Sequence, residues 1–292
     1  MLAARNGYRA LCIAGGWVKI SMKQKMASSA KEETVLIEDQ KIAYTVVGNG
    51  PHHVLLLPGA LGSYKTDFQP QLDGFDRQRF TLIGWDPPGY GGSRPPDRNF
   101  NGNFYRRDAD MAHQLMLTKL GLNASYSLVG WSDGGITALI LAAKYSRHVQ
   151  RLIVFGASAY VTKKDVELCE AISDLSKWSD RMKAPFVAMY GEEYFRKLWA
   201  DWLVAWKRFH AETPDGDLCM DDVRNIRCPT LIIHGLQDPL VPEEHCHYLA
   251  KNVADSELTI LPEGKHNLHL KFADKFNTMV QHFLSKPMQS KL

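Results

Sequence analysis

Two short apolar runs constrain the fold of this chain more than any other feature of its sequence. Residues 54–57 are continuously apolar and end at a Pro-Gly pair, and residues 80–85 form a second run that ends at Asp-Pro-Pro-Gly. Runs of this kind, bounded by turn residues, are typical of strands buried on both faces, as in a parallel sheet. Helical and strand-like segments then alternate at residues 103–120, 126–129, 134–145, 151–155, 230–234, 243–252, 257–261 and 272–284. The alternation predicts an α/β fold, a mostly parallel sheet with helices on both faces.

Residues 160–226 break this alternation. The segment contains no run typical of a buried strand, and its periodicity is helical. Four of the chain's seven tryptophans lie in it: Trp178, Trp199, Trp202 and Trp206. An insertion of this kind between two sheet strands predicts a helical cap. We therefore expect a core of residues 32–159 and 227–292, which begins with an antiparallel pair at 35–37 and 42–47, and a cap of residues 160–226.

The first 31 residues differ in composition from the rest of the chain. They contain six lysines and arginines, no acidic residue, and apolar residues in between. This composition predicts a mitochondrial presequence. Two alternatives remain: a disordered cytosolic tail, and a secretory signal with residues 10–18 as its short apolar core.

Composition also excludes several classes of protein. The formal net charge of +3 is too small to indicate a nucleic-acid partner. Five cysteines without a Cys-x-x-Cys spacing do not predict a disulfide framework or a zinc site. No apolar run approaches the roughly 20 residues that a membrane span needs. We expect a monomer with no metal, no cofactor, no membrane contact and a small molecule as its partner.

The pentapeptide Gly130-Trp131-Ser132-Asp133-Gly134 is the strongest local signal for chemistry. A strand is predicted directly before it and a helix directly after it, which is the context of a nucleophile elbow. The glycines permit a turn too tight for side chains, and the helix N-terminus favours negative charge beside the serine. We predict that Ser132 is a nucleophile.

A serine hydroxyl needs a general base, and in folds with this elbow the partners follow in the order serine, acid, histidine. Asp238 follows the predicted strand 230–234, and His266 follows the last predicted strand, 257–261. We predict that Asp238 orients His266 and that His266 is the base. His269 is the alternative base, because it lies only three residues further along.

Backbone amides are expected to bind the oxyanion of a tetrahedral intermediate. One is the N–H of Asp133, and the other lies on the loop after strand 54–57, with Ala60 as the first choice and Leu61 as the second. Leu61, Trp131 and Leu240 are also predicted to line the substrate pocket, since they neighbour these loops.

Longer strings extend these motifs. Leu56-Leu57-Pro58-Gly59, Trp85 to Gly91, Gly130 to Ile140 and Pro262 to Leu270 together make residues 34–285 resemble the α/β-hydrolase superfamily and, within it, the biphenyl hydrolase-like family of valacyclovir hydrolases. The resemblance implies an α/β-hydrolase fold with a cap and a mitochondrial serine hydrolase acting on α-amino-acid esters. It also implies that Asp133 binds the α-ammonium group of the substrate.

Other interpretations of the same residues stay open. Asp133 in a structural role would only complement the helix N-terminus, for about 0.3–1 kcal/mol. A carbon–carbon bond hydrolase of the meta-cleavage type and a general carboxylesterase would use the same triad. A non-catalytic relative on the same fold is the alternative from another class.

Overall fold

The computed structural model of this protein describes residues 12–13, 16–17, 31–121, 123 and 125–287. Most of the predicted presequence therefore lies outside the described residues. Within it, β1 (Cys12–Ile13) and β2 (Gly16–Trp17) form a short antiparallel pair.

One sheet organises the described core. Its strands are β3 (Glu32–Ile37), β4 (Gln40–Val47), β5 (His52–Leu57), β6 (Phe80–Trp85), β7 (Tyr126–Trp131), β8 (Val149–Phe155), β9 (Thr230–Gly235) and β10 (Ser256–Leu261). They lie in the order β10-β9-β8-β7-β5-β6-β4-β3. Pairs β3–β4 and β4–β6 are antiparallel, whereas the other neighbours are parallel. The predicted mostly parallel sheet is confirmed.

Helices cover both faces of the sheet. They are α1 (Tyr64–Asp67), α2 (Gln69–Gly74), α3 (Phe104–Leu120), α4 (Asp133–Lys144), α5 (Lys163–Ala171), α6 (Asp180–Tyr190), α7 (Glu192–Glu212), α8 (Met220–Asn225), α9 (Glu243–Asn252), α10 (Leu268–Lys271) and α11 (Ala273–Leu284).

Strand β5 contains the unbroken apolar run at residues 54–57, and its position in the sheet explains that run. Leu55 and Leu57 pack into the core on the α3 and α4 side, and Val54 and Leu56 pack into the core on the α11 side.

Helices α5 to α8 lie between β8 and β9 and form the cap. The longest of them, α7, buries one apolar stripe, which includes Phe195, Trp199, Trp202, Trp206 and Phe209. Their spacing of three or four residues places them on one helix face. No helix in the described part of the chain is long and apolar enough to span a membrane.

Candidate active site

Ser132 lies on a strained turn between β7 and α4. Its backbone has φ +54° and ψ −123°, a conformation that costs a non-glycine residue of order 1–3 kcal/mol. The flanking glycines make the turn possible. A Cβ at Gly130 would lie 2.5 Å from the Gly134 carbonyl oxygen, and a Cβ at Gly134 would lie 2.1 Å from the Leu57 carbonyl oxygen. The sequence therefore forces the hydroxyl of Ser132 above the edge of the sheet.

The structure brings Ser132, His266 and Asp238 together. His266 Nε2 lies 3.1 Å from Ser132 Oγ, and His266 Nδ1 lies 2.8 Å from Asp238 Oδ2. Because a carboxylate can only accept, Nδ1 carries the proton and Nε2 is left to accept the serine proton. The indole N–H of Trp131 donates to the His266 carbonyl over 2.9 Å, which holds the histidine loop against the elbow.

Asp238 is held as an ionised acceptor. Its side chain is 1% exposed, and burial alone would raise the pKa of its carboxyl group. The charge and hydrogen bond of His266 and the amides of Leu240 and Val241 more than offset burial, so the pKa of Asp238 lies below its ordinary value. Those amides donate to Oδ1 over 2.9 and 3.1 Å, which leaves Oδ2 facing the imidazole.

His269, the alternative base, has a different environment. Its Nε2–H donates to the Asp67 carbonyl over 2.8 Å, and its ring is fully buried. Burial lowers the pKa of His269 to about 3, so the ring stays neutral. In this position His269 packs the core below the elbow, whereas His266 contacts the serine.

The loop after β5 presents Ala60 to the elbow. Gly59 to Gly62 form a turn closed by a 3.1 Å hydrogen bond from the Gly62 N–H to the Gly59 carbonyl. Leu61 occupies the left-handed region of this turn, with φ +59°. Ala60 lines the same cavity as Ser132, and its N–H has no acceptor among the described residues. Ala60 and Asp133, whose amides we expected to bind an oxyanion, therefore both line the cavity that contains Ser132.

A cavity of about 280 Å³ lies between the triad and the cap. Its walls are mostly apolar and combine the predicted Trp131 and Leu240 with a set of cap residues: Cys169, Ile172, Trp178, Met182, Phe186, Trp199, Trp202 and Trp206. Leu61, which we also expected here, differs from them. Its left-handed backbone turns the side chain into the core, where it is buried.

Asp133 is the acidic group of this apolar cavity. Its side chain follows the nucleophile directly, is almost completely buried, and accepts a 2.8 Å hydrogen bond from the Trp202 indole at Oδ2. Burial raises the pKa of Asp133 to about 6, against the opposing effects of the Trp202 bond and the charge of Arg98. The guanidinium of Arg98 is itself buried in an ion pair with Asp108. Near neutral pH, Asp133 is mostly a buried anion beside the serine.

Comparison with known proteins identifies the family. Residues 52–187 match the family described as alpha/beta hydrolase fold, and residues 122–268 match the one described as Serine hydrolase (FSH1). The chain is 49% identical over 250 residues to Serine hydrolase BPHL of Mus musculus, across 86% of this chain and 85% of the mouse protein. The chain belongs to this family of serine hydrolases.

Further relatives agree with this assignment. The Homo sapiens Serine hydrolase BPHL is 47% identical over 257 residues, which cover 88% of this chain and 87% of the human protein. The meta-cleavage product hydrolase CumD of Pseudomonas fluorescens IP01 superimposes with a TM-score of 0.68, over 86% of this chain and 96% of CumD, at 19% identity. The likeness to CumD shows the shared fold alone.

Two contacts of this serine hydrolase were not predicted from its sequence. One joins Trp202 of the cap to Asp133, and the other joins the hydroxyl of Tyr190 to the carbonyl of Leu61. The spacing of Trp199, Trp202 and Trp206 indicated a common helix face. It did not indicate that this face would meet the residue beside the nucleophile.

Proposed function

We propose that this chain hydrolyses esters of small α-amino acids through an acyl-enzyme on Ser132. The observation that carries the proposal is the buried carboxylate of Asp133, which lies next to the nucleophile in a mostly apolar cavity. The α-ammonium group of an amino-acid ester is separated from the attacked carbonyl by one carbon. A carboxylate adjacent to the serine is therefore within reach of that ammonium group, and a charge-assisted hydrogen bond would join them.

The rest of the cavity supports a small apolar acyl group. A volume of about 280 Å³ is just below the usual range of ligand pockets, which run from roughly 300 to 1,000 Å³. Aromatic walls from Trp178, Trp199 and Trp206 offer no charge partner for an acidic side chain. Esters of neutral, apolar amino acids match the cavity best in both charge and size.

The geometry of the triad supports the following acylation step. As Ser132 Oγ attacks the ester carbonyl carbon, its proton passes to His266 Nε2. Asp238 stabilises the resulting imidazolium, and the amides of Ala60 and Asp133 bind the oxyanion. The tetrahedral intermediate collapses when the C–O bond to the alcohol breaks and His266 returns the proton to the departing oxygen.

Deacylation repeats the same steps with water. His266 takes a proton from the water, the hydroxide oxygen adds to the acyl carbon, and the second intermediate expels Ser132 Oγ. His266 then gives its proton back to the serine. The amino acid leaves with its ammonium group, and the enzyme returns to its starting state.

A matched ester panel tests the proposal. The panel contains a valyl ester, its N-acetyl derivative and its deaminated analogue, all with the same alcohol. We expect kcat/KM to be highest for the free amine, because only that substrate has a cation for Asp133. Equal kcat/KM values across the panel would leave a general small-ester hydrolase as the better description.

We also propose that residues 1–31 direct the protein to mitochondria, on the basis of their basic, acid-free composition. Imaging of the full-length chain with a C-terminal tag tests this, with a chain that starts at residue 32 as the control. We expect mitochondrial signal for the first and diffuse signal for the second. Diffuse or secretory-pathway signal from the full-length chain would contradict the proposal.

A further inference from the structure

Tyr190, the last residue of cap helix α6, makes two hydrogen bonds to loops of the core. Its hydroxyl accepts from the Gly91 N–H over 3.0 Å and donates to the Leu61 carbonyl over 2.8 Å. The side chain is buried, and burial raises the pKa of Tyr190 so that the hydroxyl keeps its proton. Because the amide of Gly91 can only donate, the hydroxyl proton is committed to Leu61.

The hydrogen bond from Tyr190 to the Leu61 carbonyl is connected to the expected oxyanion site by two peptide units. The Leu61 carbonyl and the Gly62 N–H belong to one planar, trans peptide unit. That Gly62 N–H donates to the Gly59 carbonyl over 3.1 Å. The Gly59 carbonyl and the Ala60 N–H form the next peptide unit, so the Ala60 N–H points away from the turn. Ala60 itself lines the cavity. Tyr190 therefore holds the peptide plane between Leu61 and Gly62. A hydrogen bond connects that plane to the one between Gly59 and Ala60, which carries the expected oxyanion donor.

The core holds the other end of the same loop. The Asp67 carboxylate accepts from the Gly59 N–H over 2.9 Å and from the Thr66 hydroxyl over 2.7 Å. Leu61, whose carbonyl is bound by Tyr190, has a backbone in the left-handed region, which favours glycine. A residue in this region persists only when its surroundings hold it there. The cap supplies one of those restraints, through Tyr190.

We propose that Tyr190 is a positioning residue that couples the cap to the oxyanion hole. Its hydroxyl fixes the Leu61 peptide and, through the turn, the direction of the Ala60 N–H. The oxyanion hole is then complete only when the end of α6 is seated on the core. This inference rests on the proposed serine-ester mechanism, and it is independent of whether the substrate carries an amine.

The test is Tyr190→Phe, which removes one oxygen atom and keeps the ring. It uses p-nitrophenyl acetate and its thionoester, in which sulfur replaces the carbonyl oxygen. Sulfur is a weak hydrogen-bond acceptor, so the thionoester gains little from the oxyanion hole. Removal of an oxyanion donor typically costs 10²–10³-fold in kcat. For a donor that is displaced but still present, we expect about a 10-fold loss of kcat/KM with the oxo-ester and under about threefold with the thionoester.

The deciding quantity is the ratio of the two kcat/KM values for each enzyme. Both values come from the same sample, so partial unfolding of the variant cancels. We expect the ratio to fall at least about threefold in Tyr190→Phe. Tyr194→Phe is the matched control, because its hydroxyl contacts the Arg98 amide at 3.4 Å and does not contact the oxyanion loop. Its ratio should equal that of the wild type.

Two other outcomes are distinguishable. If Tyr190→Phe slows both esters by one factor, or neither, the proposed coupling is wrong while the triad mechanism stands. If the wild-type enzyme does not hydrolyse the oxo-ester, the serine-ester mechanism fails, and the coupling fails with it. A wild type that shows no preference for amino esters but has a ratio sensitive to Tyr190 would refute only the amino-acid-ester proposal.

Discussion

The indole N–H of Trp202 donates to Asp133 Oδ2 over 2.8 Å and so joins the cap to the residue that follows the nucleophile. The bond ties one oxygen of the carboxylate to the cap. It also favours the ionised form, since a hydrogen bond to a carboxylate lowers its pKa against the effect of burial. The cap therefore contributes to the charge of the site as well as to its apolar walls.

Replacement of the nucleophile should abolish hydrolysis. In Ser132→Ala the triad loses its attacking oxygen, and we expect kcat to fall on the order of 10⁴–10⁶-fold. Ester turnover and labelling by a fluorophosphonate probe measure this, with a thermal melt to verify folding. Turnover close to that of the wild type in a folded variant would show that another residue is the nucleophile.

The two histidines of the last loop should behave differently. His266→Ala removes the base 3.1 Å from Ser132 Oγ, so turnover should fall about as far as in Ser132→Ala. His269→Ala removes a buried ring that bonds to the Asp67 carbonyl, so its main effect should be a lower melting temperature. Kinetics normalised to the folded fraction, which a thermal melt measures, separate the two effects. Loss of turnover in folded His269→Ala alone would reverse the assignment.

Selectivity for the amine should depend on pH. The pKa of Asp133 is raised to about 6, so its carboxyl group is neutral well below pH 6 and ionised above it. A substrate α-amino group loses its proton near pH 8. The ratio of kcat/KM for a valyl ester to that for its deaminated analogue should thus rise through pH 6 and fall again toward pH 8. The triad acts on both esters, so its own titration cancels.

Trp202→Phe should shift one side of this pH profile. Loss of the indole hydrogen bond removes an influence that lowers the pKa of Asp133. The rise of the selectivity ratio should therefore move to higher pH, while the fall near pH 8 stays in place. A pH-independent ratio in the wild type would mean that Asp133 does not bind the ammonium group.

Local sequence patterns were sufficient to predict the sheet, and the three residues predicted as a triad are in contact in the structure. Ser132, Asp238 and His266 each follow a strand of the sheet, and the carboxyl ends of parallel strands share one edge of the sheet. Contacts made by the cap were not predictable in this way. Trp202 and Asp133 are 69 residues apart, and Tyr190 and Leu61 are 129 apart. Only the tertiary packing of the cap brings them together.

The Leu61 side chain illustrates a second limit. Its place directly after Ala60 suggested a pocket residue, because the loop was expected to face the serine. In the structure its positive φ reverses the chain direction within the turn and buries the side chain. A leucine carries no sequence signal for a left-handed backbone, since that region usually selects glycine or asparagine.

The central claim is that Asp133 recognises the α-ammonium group of the substrate, and Asp133→Asn tests it most directly. Asparagine keeps the backbone N–H and an oxygen that can accept from Trp202. It removes the charge and puts an amide NH2 in place of the second carboxylate oxygen. A charge-assisted hydrogen bond contributes about 1.5–3 kcal/mol, or about 10–150-fold in kcat/KM. We predict that the ratio of kcat/KM for a valyl ester to that for its deaminated analogue falls by that factor, while the deaminated ester is hydrolysed at nearly the wild-type rate. An unchanged ratio would contradict the claim.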